Sequence, residues 1–588
     1  MKKKKKEHKK PSAASTKPPL PFMCVSTEGT LASKTGTWRY LTPRYKNKIA
    51  PCGEACPAGE DVEAAMVLAG EEDYLGAWDK MTEENPLPCV CGRVCFHPCE
   101  SACSRNALDE PVSIQALERF AGDRAFDAGR RFAAPTQKRK ERVAVIGSGP
   151  AGLSCAYHLA RMGYGITLFE AEQKPGGVLR YGIPAYRLPK DILDREIERI
   201  VALGVEVRTA VRVGRDVTWD EVKTYDAVFV AAGAWQSQPL GIPGEEAAGV
   251  MSGLAFLKRV ASGEKVDLGG RVAVIGGGNT AMDAARTAAR LGAKTCVVYR
   301  RTKDEMPAWA EEVSGAEEEN ITTVFLSSPV RIVAEDGRVK AVECIKNTLG
   351  EPGRDGRREP LPVIGSDFAL EVDTVIAAIG EVPDLSFLPD DLRTDSGSLP
   401  VDGTGSTARR GVFGGGDMIA QPRTVAFAIG SGKKGAMAID AYLRGENAVT
   451  ALEAARVGDK GALSMARYRS GNPDGQAQDV ITPSDLNLAY FKREKRTPQE
   501  TLPLSGRSES FAEVRLGLSR EEALHEAKRC FNCGVCNLCH NCLTYCPDLA
   551  VSARPDRLGY EINYDYCKGC CLCVEECPRG AISVEVGK

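Results

Sequence analysis

The chain has 588 residues, with 77 Lys and Arg against 79 Asp and Glu, so its formal net charge is -2. This near-neutral balance argues against nucleic acid or a membrane surface as a partner. No apolar run reaches the ~18 residues that a bilayer span requires, which argues against a transmembrane helix. The length corresponds to roughly four domains.

The N-terminal segment MKKKKKEHKK carries the positive charge of an export signal but has no apolar stretch behind it. It predicts a disordered basic tail that continues into an extended arm, residues 1–50. Without an export signal we expect the protein in the cytoplasm, where cysteines stay reduced. The 22 cysteines are concentrated in two blocks, with seven between Cys52 and Cys103 and eleven between Cys530 and Cys577.

Between the two cysteine blocks the residue pattern of the sequence changes twice. After a helical cysteine-rich stretch, short Val, Ile and Ala runs that end in glycine alternate with helices from Glu141 to about Thr450. This pattern is typical of parallel sheets in α/β units. Residues 451–518 are rich in Gly, Pro and charge and predict a surface connector. Ser519 and Glu522 then form a capping box for a helix that runs into the second cysteine block.

A strand and a glycine-rich loop open the α/β region. Residues 142–146 predict the strand, and the candidate cofactor contacts of the loop are Gly147, Gly149, Pro150, Ala151 and Gly152. Glycines here let the backbone approach a pyrophosphate at a helix N-terminus. The next strand ends at Glu170, whose carboxylate can accept hydrogen bonds from ribose hydroxyls. Loop and acid together predict a dinucleotide site.

The same pattern recurs later in the chain. Residues 271–275 predict a strand, and the candidate contacts after it are Gly276, Gly278, Asn279, Thr280 and Ala281. The following strand ends in Arg300 and Arg301 instead of an acid. Two guanidinium groups would pair with a 2′-phosphate, so this site favours NADP(H) over NAD(H). The alternative is that both arginines only solvate the end of a helix.

Two nested dinucleotide folds are the layout of a flavoprotein that receives hydride from a nicotinamide, so we expect FAD at the first site and NADPH or NADH at the second. Runs 228–233 and 374–380 predict the crossings between the two domains. The remaining candidate cofactor contacts are Gly177, Arg187, Ala378, Gly380, Gly416, Asp417, Thr424 and Val425. Residues 174–184 contain no redox cysteine pair, so electrons must leave the flavin by another route. Hydride transfer needs no acid or base, and we predict no catalytic residue.

Two copies of the bacterial ferredoxin run, C-x2-C-x2-C-x3-C-P, lie near the C-terminus. In that motif the fourth cysteine of each run binds the cluster of the other run. The prediction is one 4Fe-4S cluster on Cys536, Cys539, Cys542 and Cys577, and a second on Cys567, Cys570, Cys573 and Cys546. Paired CxxC motifs also suit zinc, which is the competing interpretation.

The N-terminal block reads Cys91-x3-Cys95-x3-Cys99-x3-Cys103, with Glu118 fifteen residues later. With the stretch YGIPAYRLP (residues 181–189), it resembles the glutamate synthase small subunit and the N-terminal half of dihydropyrimidine dehydrogenase, over about residues 50–445. The resemblance implies that Cys95, Cys99, Cys103 and Glu118 hold a 4Fe-4S cluster. Cys91 is the rival fourth ligand, and an ordinary helix-surface charge is the alternative role for Glu118.

The second N-terminal cluster of that family uses Cys-x2-Cys followed by Cys-x3-Cys-Pro, but here only Cys52-x3-Cys56-Pro57 is present. The missing pair matches Cys530 and Cys533, which follow a predicted helix. Our hypothesis is that Cys52, Cys56, Cys530 and Cys533 jointly hold a cluster shared by the two ends of the chain. The total would be three to four 4Fe-4S clusters.

The predicted fold class is α/β, with two nested Rossmann-like dinucleotide-binding domains between a helical iron-sulfur domain and an α+β bacterial ferredoxin domain. The predicted boundaries are 51–138 for the helical domain, 139–240 and 375–447 for the FAD domain, 241–374 for the NAD(P)H domain, 448–518 for a linker and 519–588 for the ferredoxin domain.

These motifs predict an NAD(P)H:acceptor oxidoreductase in which FAD splits a hydride into single electrons for a chain of clusters. The expected route runs through the N-terminal clusters, the shared cluster and the ferredoxin pair to a partner protein. Segments 34–39 and 566–582 resemble the ferredoxin-like delta subunit of 2-oxoacid:ferredoxin oxidoreductases. This implies a hetero-oligomer with a redox partner such as a 2-oxoacid oxidoreductase or a sulfite reductase. The alternatives are the glutamate synthase small subunit itself and a non-catalytic iron-sulfur scaffold.

Overall fold

The computed structural model describes residues 34–353, 356–394, 397–471, 477–508, 510–556 and 558–587. The predicted basic tail, residues 1–33, lies outside the described residues. The described chain forms two compact units. The larger contains Lys46–Asn537 and Pro578–Ala581, and the smaller contains residues 34–45, 538–577 and 582–587.

The first strand of the described residues, β1 (Leu41–Tyr45), belongs to the smaller unit, and a helical domain of the larger unit follows it. Its helices are α1 (Pro51–Ala55), α2 (Val62–Gly70), α3 (Tyr74–Thr82), α4 (Pro88–Val94), α5 (Pro98–Ser101) and α6 (Ile114–Asp127). Asp73 caps α3 by accepting a hydrogen bond from the Gly76 amide at 2.9 Å, as short polar side chains do at helix starts. Trp78 is fully buried in the core of this domain.

The first α/β domain, which we call the flavin domain, is built on a parallel sheet. Its first elements are β2 (Arg142–Ile146), α7 (Pro150–Arg161), β3 (Gly165–Phe169), α8 (Val178–Tyr181), α9 (Lys190–Val201), β4 (Glu206–Arg208), α10 (Trp219–Val222), β5 (Ala227–Val230) and β6 (Gln236–Ser237). The strand order is β17-β5-β2-β3-β4, where β17 (Val412–Gly414) comes from much later in the chain. The chain therefore leaves this sheet after β5 and returns to it at β17.

The second α/β domain, which we call the nicotinamide domain, is inserted between β5 and β17. Its parallel sheet has the order β10-β9-β8-β15-β7, and a separate antiparallel sheet is formed by β11, β12, β13 and β14. The elements are β7 (Val250–Ser252), α11 (Gly253–Ala261), β8 (Arg271–Ile275), α12 (Asn279–Arg290), β9 (Lys294–Val298), α13 (Ala310–Glu318), β10 (Thr322–Val324), β11 (Ser327–Glu335), β12 (Arg338–Pro352), β13 (Arg358–Pro362), β14 (Phe368–Glu371), β15 (Thr374–Ala377) and β16 (Glu381–Val382). Strands β6 and β16 pair where the chain enters and leaves the domain. This nesting of two dinucleotide-binding folds confirms the predicted fold class.

After β17, the long helix α14 (Val425–Leu443) completes the flavin domain, and a connector follows. The connector contains the elements α15 (Ala448–Ala454), β18 (Arg456–Val457), β19 (Ala462–Leu463), α16 (Met465–Ser470), β20 (Glu500–Thr501), α17 (Leu504–Arg507) and β21 (Arg515–Gly517). Ion pairs attach the connector to two other domains. Glu513 pairs with Arg93 of the helical domain at 2.9 Å, and Arg507 pairs with Glu318 of the nicotinamide domain at 2.6 Å. The sequence predicts a linker here, and the structure shows a segment held by ion pairs.

Helix α18 (Arg520–Lys528) begins with the predicted capping box of Ser519 and Glu522. It belongs to the larger unit and buries Ala523 and Ala527, packing against α2 and α6. The sequence places this helix in the ferredoxin domain, whereas the smaller unit resumes only at Leu538. The apolar face of α18 is the physical reason for this difference.

In the smaller unit β1 pairs with the last strand β24 (Ile582–Val586), and β22 (Val551–Ala553) pairs with β23 (Tyr560–Ile562). Two short helices, α19 (Asn541–Thr544) and α20 (Leu572–Glu575), carry Cys542 and Cys573. The predicted extended arm is thus in part a strand of this unit. Among all described residues, no helix is long and apolar enough to cross a membrane.

Candidate redox site

The first glycine-rich loop, between β2 and α7, is shaped by close backbone approaches. Gly147 has φ +100°, and a Cβ there would lie 2.4 Å from the Ala231 carbonyl oxygen. A Cβ on Gly152 would lie 1.9 Å from the Gly147 carbonyl oxygen. Around Gly149, by contrast, no atom lies within 4 Å of the Cβ position. The loop is tight toward the protein and open on the side where a pyrophosphate would approach the helix N-terminus.

Glu170, at the end of β3, is buried and held in place. Its carboxylate accepts hydrogen bonds from the Ser148 amide at 3.1 Å, from the Ser148 hydroxyl, and from the Glu172 amide at 2.8 Å. An ionised carboxylate has about four acceptor positions, so it retains capacity for a ribose hydroxyl. Ser148 is a residue that the sequence reasoning missed, although it lies inside the loop motif.

A large cleft, the flavin cleft, opens at the carboxyl ends of the flavin-domain strands and has a volume of about 770 Å³. The predicted cofactor contacts that line it are Gly147, Gly149, Pro150, Ala151, Glu170, Gly177, Arg187, Asn279, Thr280, Gly416, Asp417, Thr424 and Val425. Residues from both dinucleotide loops therefore face one space. Such a crevice at the strand ends is where open α/β sheets bind ligands.

The other predicted contacts do not line this cleft. They are Gly152, Gly276, Gly278, Ala281, Arg300, Arg301, Ala378 and Gly380. Gly276 has φ +143°, and a Cβ there would lie 2.2 Å from the Ala378 carbonyl oxygen. Gly276 and Ala378 are thus in backbone contact with each other, which brings the second loop close to the end of β15.

The far wall of the cleft is formed where α14 begins. Thr424 caps this 19-residue helix by accepting a hydrogen bond from the Phe427 amide at 3.3 Å. The Gly416 amide donates to the Ser431 hydroxyl at 2.8 Å, which fixes the turn that carries Asp417. Burial raises the pKa of Asp417 above its usual value. A partly buried carboxyl beside a helix N-terminus can bind a hydroxyl chain of a cofactor.

The two arginines predicted to bind a 2′-phosphate have different surroundings. Arg300 is exposed at the end of β9. Arg301 is buried, and its Nε donates to the Arg358 carbonyl oxygen of β13 at 2.6 Å. Arg300 therefore has the accessible guanidinium group, while Arg301 also connects β9 with the antiparallel sheet.

Arg187 is held by two carboxylates of the nicotinamide domain. Its Nη1 lies 2.7 Å from an oxygen of Asp283, and its Nε lies 3.1 Å from an oxygen of Glu312. Burial works against the charge of Arg187, yet these two partners raise the pKa of its guanidinium group above the usual value. Arg187 thus connects the flavin domain to the nicotinamide domain at the edge of the cleft.

Seven cysteines of the larger unit, drawn from both cysteine blocks, form two sets. The first set, the outer cysteine set, surrounds one small cavity and consists of Cys52, Cys103, Cys530 and Cys533. Burial, and next the charges of the other three thiols, raise the pKa of Cys52 well above its usual value. Four thiolates packed this closely repel one another. A metal cluster bound between them would compensate their charge, so these four cysteines suit a cluster site.

The second set, the inner cysteine set, is Cys56, Cys95 and Cys99. Burial raises the pKa of all three, and the charge of Cys56 raises the pKa of Cys95 and Cys99 further. Glu118 is buried and accepts a hydrogen bond from the Asn85 side-chain amide at 2.9 Å, and its charge raises the pKa of both Cys56 and Cys95. The surface role considered for Glu118 is therefore wrong. Cys91 is buried next to Glu118 and Cys95 and stays a rival ligand.

This division differs from the one expected from sequence, which grouped Cys52 with Cys56 and Cys103 with Cys95. The physical reason lies in α1. Cys52 is inside this short helix, whereas Cys56 follows its end in extended backbone with ψ 113°. The two thiols therefore do not share one helix face. No disulfide links any described cysteine, and no group of described side chains is arranged for a single metal ion.

The inner cysteine set adjoins the flavin cleft through a short segment, which we call the cysteine loop (residues 95–97). Val94 and Phe96 both line the cleft, and Cys95 lies between them. The Phe96 ring stacks on Phe427 with a centroid distance of 6.3 Å. Sequence reasoning missed Phe96, and its position directly after Cys95 was the available signal.

In the smaller unit, the cysteines of the second ferredoxin run lie near one another. Burial, and next the charges of Cys567, Cys571, Cys546 and Cys570, together raise the pKa of Cys573 to about 12. The ligand set of this run stays a prediction. Cys570 is exposed, as is Cys539 of the first run. Cys536 belongs to the larger unit, so its predicted grouping with Cys539, Cys542 and Cys577 stays a prediction.

Comparison with protein families gives three matches. Residues 141–432 match the pyridine nucleotide-disulphide oxidoreductase model. Residues 45–130 match dihydropyrimidine dehydrogenase domain II with its 4Fe-4S cluster, and residues 560–583 match the 4Fe-4S binding domain. With the first glycine loop and the start of α12 facing one cleft, these matches define the class: the protein is an FAD-dependent NAD(P)H oxidoreductase with 4Fe-4S clusters.

Curated relatives narrow this class. The NADP(+)-dependent formate dehydrogenase subunit beta of Moorella thermoacetica is 39% identical over 82% of this chain and 70% of its own length. The NADPH-Fe(3+) oxidoreductase subunit beta of Geobacter sulfurreducens is 36% identical over 82% and 75%. The glutamate synthase [NADPH] small chain of Escherichia coli is 36% identical over 67% and 88%. The chain belongs to the family of FAD- and NAD(P)-binding iron-sulfur oxidoreductases that includes these proteins, as an electron-transfer subunit.

Proposed function

We propose that this subunit transfers electrons between NADP(H) and a partner redox protein. The cluster held by the inner cysteine set would be the first electron acceptor after the flavin. The observation that carries the proposal is the position of Cys95 between Val94 and Phe96, both of which line the flavin cleft. FAD, when bound, supplies the step from two-electron hydride to single-electron chemistry. Two parts of the chain would orient the FAD. Glu170 would bind its ribose, and Asp417 with the start of α14 would contact it from the far wall of the cleft.

The two cysteine sets are the proposed ligands of the N-terminal clusters. Cys56, Cys95 and Cys99 with Glu118 would hold the inner cluster, and Cys52, Cys103, Cys530 and Cys533 would hold the outer one. Shared burial and mutual charge effects support both groupings. The outer set draws two ligands from the segment after α18, which would lead electrons toward the ferredoxin-like part of the chain. The ferredoxin runs would hold the remaining two clusters.

For the nucleotide, NADPH is the proposed substrate. The exposed guanidinium group of Arg300 and the neighbouring Arg301 support it, because a 2′-phosphate is recognised by paired charge and hydrogen bonding. An acid at this position would favour NADH instead. Asn279 and Thr280, which line the cleft from the second loop, would bind the same nucleotide.

The partner is proposed to be a second subunit with its own redox centre. Two relatives are by name beta subunits, one of a formate dehydrogenase and one of an Fe(3+) oxidoreductase. Cys539 and Cys570 of the ferredoxin runs are exposed, which suits electron exit to a docked protein. A 2-oxoacid oxidoreductase, a sulfite reductase or a formate-oxidising enzyme each fits this chemistry. Purification from the native source identifies which one remains attached.

The experiment that tests the proposed route uses the purified holoprotein under anaerobic conditions. NADPH should bleach the flavin absorbance and then sustain reduction of a viologen dye. In Cys95→Ser, flavin bleaching should persist while dye reduction falls. The matched control is Cys344→Ser, a buried cysteine of the antiparallel sheet outside both cysteine sets, which should retain both reactions. No reduction with either nicotinamide would contradict the proposal and favour a scaffold.

A further inference from the structure

Trp309 lies where the nicotinamide domain meets the cysteine loop. It immediately precedes α13 and lines the flavin cleft together with Phe96 and Val425. Its ring meets the His97 ring edge-on with a centroid distance of 4.7 Å, and the Phe96 ring is 6.1 Å away. Both partners belong to the helical iron-sulfur domain. Trp309 therefore joins two domains that carry different redox groups.

The backbone of Trp309 is tied to the second glycine loop. Its amide donates a hydrogen bond to the Asn279 side-chain oxygen at 3.1 Å. Asn279 is the first residue of α12 and lines the flavin cleft, where the nicotinamide nucleotide is proposed to bind. A nucleotide that contacts Asn279 thus contacts the direct partner of Trp309.

In the cysteine loop, His97 makes two polar contacts with Cys95. The His97 amide lies 3.3 Å from the Cys95 sulfur in hydrogen-bond geometry, and its ring Nδ1 lies 2.9 Å from the Cys95 carbonyl oxygen. His97 has φ +40°, a left-handed conformation that a non-glycine residue adopts only when its surroundings hold it. The edge-on contact with Trp309 is part of those surroundings.

We infer that Trp309 is a positioning residue that couples nucleotide occupation of the second glycine loop to the hydrogen bonding of the Cys95 sulfur. The inference rests on the proposed function, because it takes Cys95 as a cluster ligand and Asn279 as a nucleotide contact. Hydrogen bonds to ligand sulfurs change the reduction potential of an iron-sulfur cluster. Nucleotide binding would therefore set the potential of the inner cluster through an aromatic contact, without any electron being transferred.

The test compares wild type, Trp309→Ala and Trp309→Phe as holoproteins. Tetrahydro-NADP, a nucleotide that neither donates nor accepts hydride, is added to the reduced protein, and the EPR spectrum and midpoint potential of the clusters are recorded. We expect this nucleotide to shift both readouts for one cluster in wild type. The shift should be lost in Trp309→Ala and retained in Trp309→Phe, because phenylalanine keeps an aromatic edge contact with His97. Trp38→Ala removes an exposed tryptophan of the smaller unit and should leave the shift unchanged.

The outcomes separate the inference from the proposed function. Because Trp309 lines the cleft, the shift is compared at a saturating concentration of tetrahydro-NADP in each variant, so that a changed affinity does not affect the comparison. At saturation, a full shift in Trp309→Ala, or no shift in a wild type whose flavin is bleached by NADPH, overturns the inference alone. Loss of NADPH-dependent bleaching in wild type overturns the proposed function instead.

Discussion

Lys433 of α14 forms an ion pair with Glu84, which follows α3, and both side chains are almost completely buried. The same carboxylate accepts hydrogen bonds from the Ser464 hydroxyl and the Met465 amide, each at 2.7 Å. Lys433 also donates to the Ala58 carbonyl oxygen. One buried pair thus joins the flavin domain, the helical domain and the connector.

Removing one member of this pair should be costly. Lys433→Met leaves the Glu84 charge buried without its cation, which typically costs about 3–5 kcal/mol. We expect a clear fall in the thermal unfolding temperature of the holoprotein. The control is Lys303→Met, whose partner Glu317 lies at 2.7 Å in a half-exposed pair that is worth less than ~1 kcal/mol. Equal effects of the two substitutions would show that burial of Lys433 does not matter.

Double substitutions distinguish the two ways of grouping the cysteines. If Cys103 and Cys530 bind one cluster, the double variant Cys103→Ser/Cys530→Ser should lose about four iron atoms per chain, the same as either single variant. The sequence-based grouping expects about eight, because it places them in different clusters. The reverse holds for Cys52→Ser/Cys56→Ser: the sequence-based grouping places both in one cluster and expects about four, whereas the structure places them in different sets and expects about eight. Iron analysis with EPR measures both, and Cys89→Ser serves as a buried control.

Arg300 should determine the preference between the two nicotinamide nucleotides. A charge-assisted hydrogen bond is worth about 1.5–3 kcal/mol, so Arg300→Ser should raise KM for NADPH roughly tenfold to a hundredfold. KM for NADH should change little. Arg331→Ser, which removes an exposed arginine paired with Glu343 on β11 and β12, is the control. An equal rise for both nucleotides would place Arg300 outside the 2′-phosphate site.

Lys190 should make stability depend on pH. Burial, and next the charge of Arg180, lower the pKa of Lys190 from 10.5 to about 7. Its ammonium group donates to the Leu179 carbonyl oxygen at 2.9 Å. Between these two pKa values the unfolded chain binds more protons than the folded one, so stability rises with pH.

The measurement compares unfolding of wild type and Lys190→Met from pH 6 to pH 10. The difference in free energy of unfolding should grow in favour of wild type above about pH 7, by at most about 1.4 kcal/mol per pH unit. Lys294→Met, which removes an exposed lysine, should show no such slope. A constant difference for Lys190→Met would contradict the lowered pKa.

The parts of the site that could be predicted from sequence are those in which neighbouring residues act together. Gly147, Gly149 and Glu170 belong to one strand-loop-helix-strand unit, so their spacing alone indicates a dinucleotide site, and the structure brings them to one cleft. The nesting of the two domains was predictable for the same reason, because each domain carries its own loop.

The separation of Cys56 from Cys52 was not predictable from spacing, because it depends on Cys52 lying inside α1 and Cys56 following its end in extended backbone. Trp309 and His97 are far apart in the chain, so no local pattern indicates their contact. The Gly- and Pro-rich composition of residues 451–518 predicts a surface connector but does not indicate what holds it in place. Its ion pairs with Arg93 and Glu318 become visible only in the folded molecule.

The pairing of β6 with β16 has a consequence for exchange of parts between related enzymes. Gln236 lies opposite Val382 and Ser237 opposite Glu381, so the two ends of the inserted domain are neighbouring strands about 5 Å apart. We call the inserted nicotinamide domain the cassette. Because its two ends are adjacent, it could be replaced by another domain without moving the strands of the flavin domain. Phe96 and Phe427 lie outside the cassette. Changing the cassette would therefore replace Arg300 and Trp309 together, while Cys95 and Phe96 stay in the host.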